Sequence, residues 1–173
     1  MHDRIEWAKH APEAYKAMAG LEKVLASCGL EHSLLELVRL RASQINGCAY
    51  CVNVHANDAR KAGESEARLQ TLSVWQDTRF FTPRERAALA WLESLTHLPE
   101  RGAPQAEYAA LLAQFTPAEV VNLTLAIASI NAWNRFHGAG LSRIDPPEVP
   151  AVQWPKRPEG LAAFDIGAGP NLA

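Results

Sequence analysis

Cys48, Cys51 and His55 form a C-x-x-C-x-x-x-H pattern, and Glu36 stands twelve residues before its first cysteine. A helix advances about 100° per residue, so positions 48, 51 and 55 fall within an arc of roughly 60°. Two thiols and an imidazole on one helical face can do chemistry that no other group of residues in the chain can match. The thiols can cycle to a disulfide. The imidazole can take a proton from the nearer thiol, because His55 lies four residues after Cys51 and such side chains are neighbours.

Other readings of the pattern carry specific requirements. Zinc would take Cys48, Cys51 and His55 as three ligands and needs a fourth, from His32, His97 or His137 folded nearby. Haem attachment needs histidine directly after the second cysteine, where Val52 stands. A thioredoxin-type site belongs to alternating strands and helices, a pattern this sequence lacks. Two inert core thiols are a further reading, and Cys28 fits that description. Spacing puts a redox pair ahead of these without closing them off.

The preceding Asn46-Gly47 breaks the chain and sets Cys48 at a helix cap. Inside a helix, side chains three apart have Cβ atoms about 5–6 Å from each other, and a disulfide wants about 3.5–4.5 Å. A bent cap can close that gap. The helix N-terminus also brings partial positive charge and free N–H groups, and both favour a thiolate. Glu36 reads two ways. With Ser33 it makes a capping box for its own helix, and as a buried carboxylate it would orient His55. On pattern alone the cap is the stronger of the two.

These residues need helices to hold them, and the sequence supplies little else. Apolar residues recur at helical spacing almost throughout, so the expected class is all-α, with about six to seven helices. They run from about Pro12 to Ser27, Ser33 to Ile45, Cys48 to before Gly63, Ser65 to Val74, Thr82 to His97, Pro104 to Gln114 and Thr116 to His137. Ala14, Met18, Leu21, Leu25 and Cys28 form the expected buried stripe of the first, and Ala88, Trp91, Leu92 and Leu95 face inward from the fifth. Thr82-Pro83-Arg84-Glu85 and Thr116-Pro117-Ala118-Glu119 each join a capping box to proline at the first helical position. The last helix is apolar nearly all round from Val120 to Trp133. That predicts burial on every side, either within the chain or against another copy.

The 173 residues suit one helical domain over 1–141, followed by an extended Pro/Gly-rich arm over 142–173 that holds six of the eleven prolines. A net charge of −2 and a pI near 6.3 point to neither nucleic acid nor a membrane surface. The start lacks a signal-peptide pattern and no apolar run spans a bilayer, so a cytoplasmic location is expected.

The stretch from Glu36 to His55, Glu-Leu-Val-Arg-Leu-Arg-Ala-Ser-Gln-Ile-Asn-Gly-Cys-Ala-Tyr-Cys-Val-Asn-Val-His, resembles the core of the alkylhydroperoxidase D-like proteins. These belong to the carboxymuconolactone decarboxylase superfamily. Phe81–Ala90 and Asn131–Phe136 support the resemblance, which covers roughly residues 15 to 140. It implies an all-helical fold assembled as a homotrimer or homohexamer. It also implies a thiol-dependent peroxidase that needs no cofactor and no metal, reducing alkyl hydroperoxides or hydrogen peroxide at the expense of an external dithiol or thiol protein. By the same resemblance Cys51 is the activated thiol, His55 the relay base, Glu36 the relay carboxylate and Cys48 the disulfide partner, so Glu36 would serve as both cap and relay. The best-known members carry a second histidine between the cysteines, and here Tyr50 stands in its place. A decarboxylase-type enzyme on the same scaffold and a redox-sensing oligomer without turnover are the alternatives.

Overall fold

A computed structural model describes residues 4–141. Among the described residues every regular element is helical. In chain order these are α1 (Trp7–His10), α2 (Pro12–Ala26), α3 (His32–Ile45), α4 (Ala49–Lys61), α5 (Glu66–Thr71), a 3-10 segment (Leu72–Asp77), α6 (Pro83–Thr96), α7 (Leu98–Arg101), α8 (Gln105–Leu112) and α9 (Pro117–Gly138). The arm expected over 142–173 lies outside the described residues. The all-α class stands, with short α1 and α7 added to the helices that periodicity shows. Four residues are too few to display a period, so those two turns were invisible to it.

The site rests on α3, which packs against α4, α6 and α9. Leu37, Val38, Leu40 and Ala42 of α3 are buried, as are Leu89 and Leu92 of α6 and Leu123 and Ile127 of α9. Apolar side chains at helical spacing on three faces of α3 give each neighbour a stripe to cover, and this fixes the orientation of the helix. Both threonine capping boxes form. Thr82 and Thr116 accept from the N–H groups of Glu85 and Glu119, and each glutamate accepts from the N–H of its threonine.

Three local expectations are corrected. The capping box at Ser33 and Glu36 is absent, because the N-cap of α3 is Glu31, two residues before Ser33, and the helix runs from His32. Glu36 therefore sits beyond the first turn and its carboxylate turns inward. The helix expected over 65–74 breaks into α5 and the 3-10 segment, where Val74 leaves helical angles. The α2 stripe is only partly buried. Leu25 is enclosed, Met18, Leu21 and Cys28 are half-buried and Ala14 is exposed. The reason is that α2 packs chiefly on α1 and α9.

The expectation of all-round burial for α9 also fails within the single chain. Val121 is 65% exposed and Ala128 is exposed, with Leu125 and Ala132 half-covered between them. These four positions fall on one stripe at helical spacing, opposite the face that α9 turns to the core.

Candidate active site

The Asn46-Gly47 turn is the hinge on which the site is built. Gly47 has φ +67°, in the left-handed region where a side chain is strained, so the chain can reverse between α3 and α4. Cys48 follows in an extended conformation as the N-cap of α4, and its Sγ accepts the Cys51 N–H at 3.3 Å. Cys48 and Cys51 are joined as a disulfide, with Cα atoms 5.4 Å apart, and each is only 3% exposed. The cap lets Cys48 lean toward Cys51, which a cysteine inside the helix could not do as readily.

Polar side chains from α9 hold this turn. The Asn46 amide lies 3.0 Å from Asn131 Oδ1 and 2.9 Å from Asn134 Oδ1, and Asn134 Nδ2 donates to Ser43 Oγ at 3.1 Å. Arg135 donates to Asn131 Oδ1 and to the Asn46 side-chain oxygen. Each such hydrogen bond between neutral groups contributes about 0.5–1.5 kcal/mol. Asn134 is 3% exposed, so Asn134→Ala strips partners from two groups at once. We expect it to lower stability by about 2 kcal/mol, seen as a lower urea midpoint at unchanged slope.

Glu36 and His55 meet across the α3–α4 contact. His55 Nδ1 is 2.8 Å from Glu36 Oε2, and Arg39 Nη1 donates to Glu36 Oε1 at 2.7 Å. Arg39 also donates to Glu22 Oε2 at 2.9 Å, so one guanidinium spans two carboxylates. Burial acts to raise the Glu36 carboxyl. Hydrogen bonds and charge from His55 and Arg39 outweigh it, and the group titrates below its ordinary range. An ionised carboxylate only accepts, so His55 Nδ1 carries the hydrogen, and in the neutral ring the lone pair is on Nε2. The imidazole is thereby set as a base.

Cys51 and His55 border a cavity of about 710 Å³. Its aromatic wall comes from Trp7, Tyr15, Tyr50 and Trp133, and His137 closes one side. The unexpected α1 supplies part of that wall. The N–H groups of Arg4 and Trp7 donate to the carbonyls of Gly140 and Leu141, which ties the N-terminal segment to the end of α9. Trp7 then stacks on Phe136 with ring centres 4.0 Å apart and packs edge-on against Trp133. Tyr50 lies against the His137 ring at 4.7 Å.

All four residues singled out from the sequence thus gather at one place, with Cys48 and Cys51 bonded and Glu36 against His55. Sequence reasoning missed the cavity wall and Arg39. It met His137 only as a candidate zinc ligand. The stretch Asn131–Phe136, one residue short of His137, was the nearest signal available. Among the described residues, no group of three or more His, Cys, Asp or Glu is arranged to hold a metal ion.

A helical bundle with a capped C-x-x-C pair and a glutamate-held histidine defines a class. The chain belongs to the carboxymuconolactone decarboxylase family, on its alkylhydroperoxidase D-like branch, and residues 12–94 match that family directly. The uncharacterized protein YdfG of Bacillus subtilis (strain 168) is 37% identical over 136 residues, which is 79% of this chain and 92% of YdfG. A crystal structure from Agrobacterium tumefaciens superposes with a TM-score of 0.80 at 42% identity, covering 84% of this chain and 99% of that one. That protein is of unknown function and has been suggested to be the antioxidant defence protein AhpD. The debrominase Bmp8 shares the fold, with a TM-score of 0.70 at 21% identity over 79% of this chain and 74% of its own.

Proposed function

We propose that this protein is a thiol peroxidase that reduces hydroperoxides through a Cys48/Cys51 dithiol–disulfide cycle. The observation that carries this reading is His55, tied at Nδ1 to an ionised Glu36 and bordering the same cavity as Cys51. In the reduced protein, His55 Nε2 takes the Cys51 proton. The thiolate attacks the terminal peroxide oxygen, an S–O bond forms as the O–O bond breaks, and the proton ends on the departing alkoxide to give an alcohol. The sulfur is oxidised by two electrons and the peroxide is reduced by two. Cys48 then displaces water from the Cys51 sulfenic acid and forms the disulfide. An external dithiol or thiol protein reduces that disulfide by exchange, returning two electrons and two protons. A cavity of about 710 Å³ has room for an organic hydroperoxide as well as for hydrogen peroxide.

The decisive assay is peroxide consumption with a panel of dithiol donors, comparing wild type with Cys51→Ser. Turnover that depends on Cys51 supports the reading. A different turnover that survives loss of both cysteines supports a decarboxylase-type enzyme instead. A disulfide that changes assembly size without turnover supports a redox sensor. A dithiol-regenerated cycle suits the reducing cytoplasm, where thiol proteins are kept reduced. No helix among the described residues is long and apolar enough to cross a membrane.

The same reading includes assembly of identical chains as a trimer or a pair of trimers. The uncovered apolar stripe of α9 and the exposed Val24 and Tyr15 of α2 support it. Light scattering at micromolar concentration should give at least three times the chain mass, and a monomer under those conditions would rule it out.

A further inference from the structure

His137 is the one histidine on the cavity wall that this chemistry leaves without a task. It reaches the cavity from α9, whereas Cys51 and His55 reach it from α4. Its ring is held on two sides, by Tyr50 with ring centres 4.7 Å apart and by Trp133 at 5.9 Å. Its Nδ1 is shut off from solvent and has no hydrogen-bond partner among the described residues. A nitrogen sealed from solvent is sealed from the cavity as well, so a ligand in the cavity can meet the ring only through its other nitrogen, Nε2. Burial lowers the His137 pKa, and the charge on His55 once it holds the Cys51 proton lowers it further, so the ring stays neutral in near-neutral solution and keeps one N–H to donate.

The displacement at a peroxide has two ends. Sulfur attacks one oxygen in line, and charge develops on the other, which points away from the sulfur. During the displacement His55 is held at the sulfur end, with Glu36 on one nitrogen and the Cys51 proton on the other, and that proton reaches the departing oxygen only after the O–O bond has broken. A donor for the far oxygen has to come from another wall. Resting on the peroxidase reading above, we infer that His137 donates a hydrogen bond to the departing oxygen of the hydroperoxide. It thereby favours substrates that leave as strongly basic alkoxides. The atom balance is unchanged: the O–O bond breaks, its electron pair goes to the departing oxygen, and the proton taken from Cys51 ends there as alcohol. His137 stabilises the charge while it forms, as an oxyanion-hole donor does.

The leaving group tests this. tert-Butyl hydroperoxide departs as a strongly basic alkoxide and depends on a donor. Peracetic acid departs as acetate and does not. The measurement is the single-turnover rate of disulfide formation in the reduced full-length protein with each oxidant. His137→Phe keeps a ring between Tyr50 and Trp133 and removes the donor. It should slow the tert-butyl hydroperoxide reaction about a hundredfold and leave the peracetic acid reaction within a factor of about three. His137→Gln restores an N–H, and its ratio of the two rates should stay within about tenfold of wild type. Equal slowing with both oxidants would mean a packing role only, and an unchanged ratio in His137→Phe would overturn the inference. If His137→Phe does not fold, a ratio in His137→Gln shifted by about a hundredfold overturns it as well. Wild type that reacts with neither oxidant removes the peroxidase reading itself, an outcome separate from all of these.

Discussion

Cys51→Ser should abolish the reaction with peroxide, and Cys48→Ser should leave the first step intact while removing the second. The asymmetry follows from position. Cys51 lies one turn before His55 on the same face of α4 and borders the cavity, so the imidazole can take its proton. Cys48 is the N-cap of α4, about two turns from His55, and relies on the helix terminus for its thiolate. Without Cys48 the sulfenic acid on Cys51 has no resolving thiol and climbs to sulfinic acid with excess peroxide. Mass spectrometry after one equivalent of peroxide reads the difference. Cys48→Ser should carry a trappable sulfenic acid on Cys51, and Cys51→Ser should remain reduced at Cys48. The reverse pattern exchanges the two roles. Oxidation in neither variant returns the pair to metal binding or to the core.

Glu36→Gln should slow alkylation of reduced Cys51 at neutral pH by about a hundredfold, the lower end of what a positioned base contributes. Glutamine has nearly the shape of glutamate, but it places no charge beside His55 Nδ1 and no longer fixes which nitrogen holds the hydrogen. It also leaves the half-buried Arg39 guanidinium with Glu22 as its one remaining carboxylate partner, so a loss of about 2 kcal/mol of stability is expected alongside. The two effects separate by pH. The folded Glu36 titrates below its ordinary value of 4.5, so its contribution is complete above 4.5 and is lost as pH falls through the lower folded value. Wild type should lose stability in that acid window, and Glu36→Gln should lose less. If Glu36→Gln alkylates as fast as wild type at neutral pH, the relay role is wrong, whatever happens to stability.

The sequence alone carried the local facts. Thr82 and Thr116 start helices because a hydroxyl, a proline and a glutamate within four residues satisfy the first N–H groups without help from elsewhere. Asn46-Gly47 ends α3, since Gly47 accepts a left-handed turn and Asn46 does not need one. The two cysteines and His55 share a face of α4 through helical geometry, whatever the rest of the chain does.

Glu36 shows where local patterns stop. Ser33 and Glu36 match a capping box in type and spacing, yet the N-cap of α3 lies two residues earlier, at Glu31, and the box does not form. A choice between two starting residues is worth little locally, and packing of α3 on α4, α6 and α9 decides it. Whether Glu36 meets a histidine nineteen residues later depends on how two helices cross after the turn, which no periodicity encodes. The tertiary structure also decided the cavity. Tyr50 and His137 are 87 residues apart and become neighbours only because α9 lies beside α4. Trp7 joins them because its segment pairs with the backbone past the end of α9. The sequence named the groups that can do chemistry, because type and short spacing suffice for that. Which of them face one another, and across how much space, was set by burying apolar stripes from distant helices against a common core.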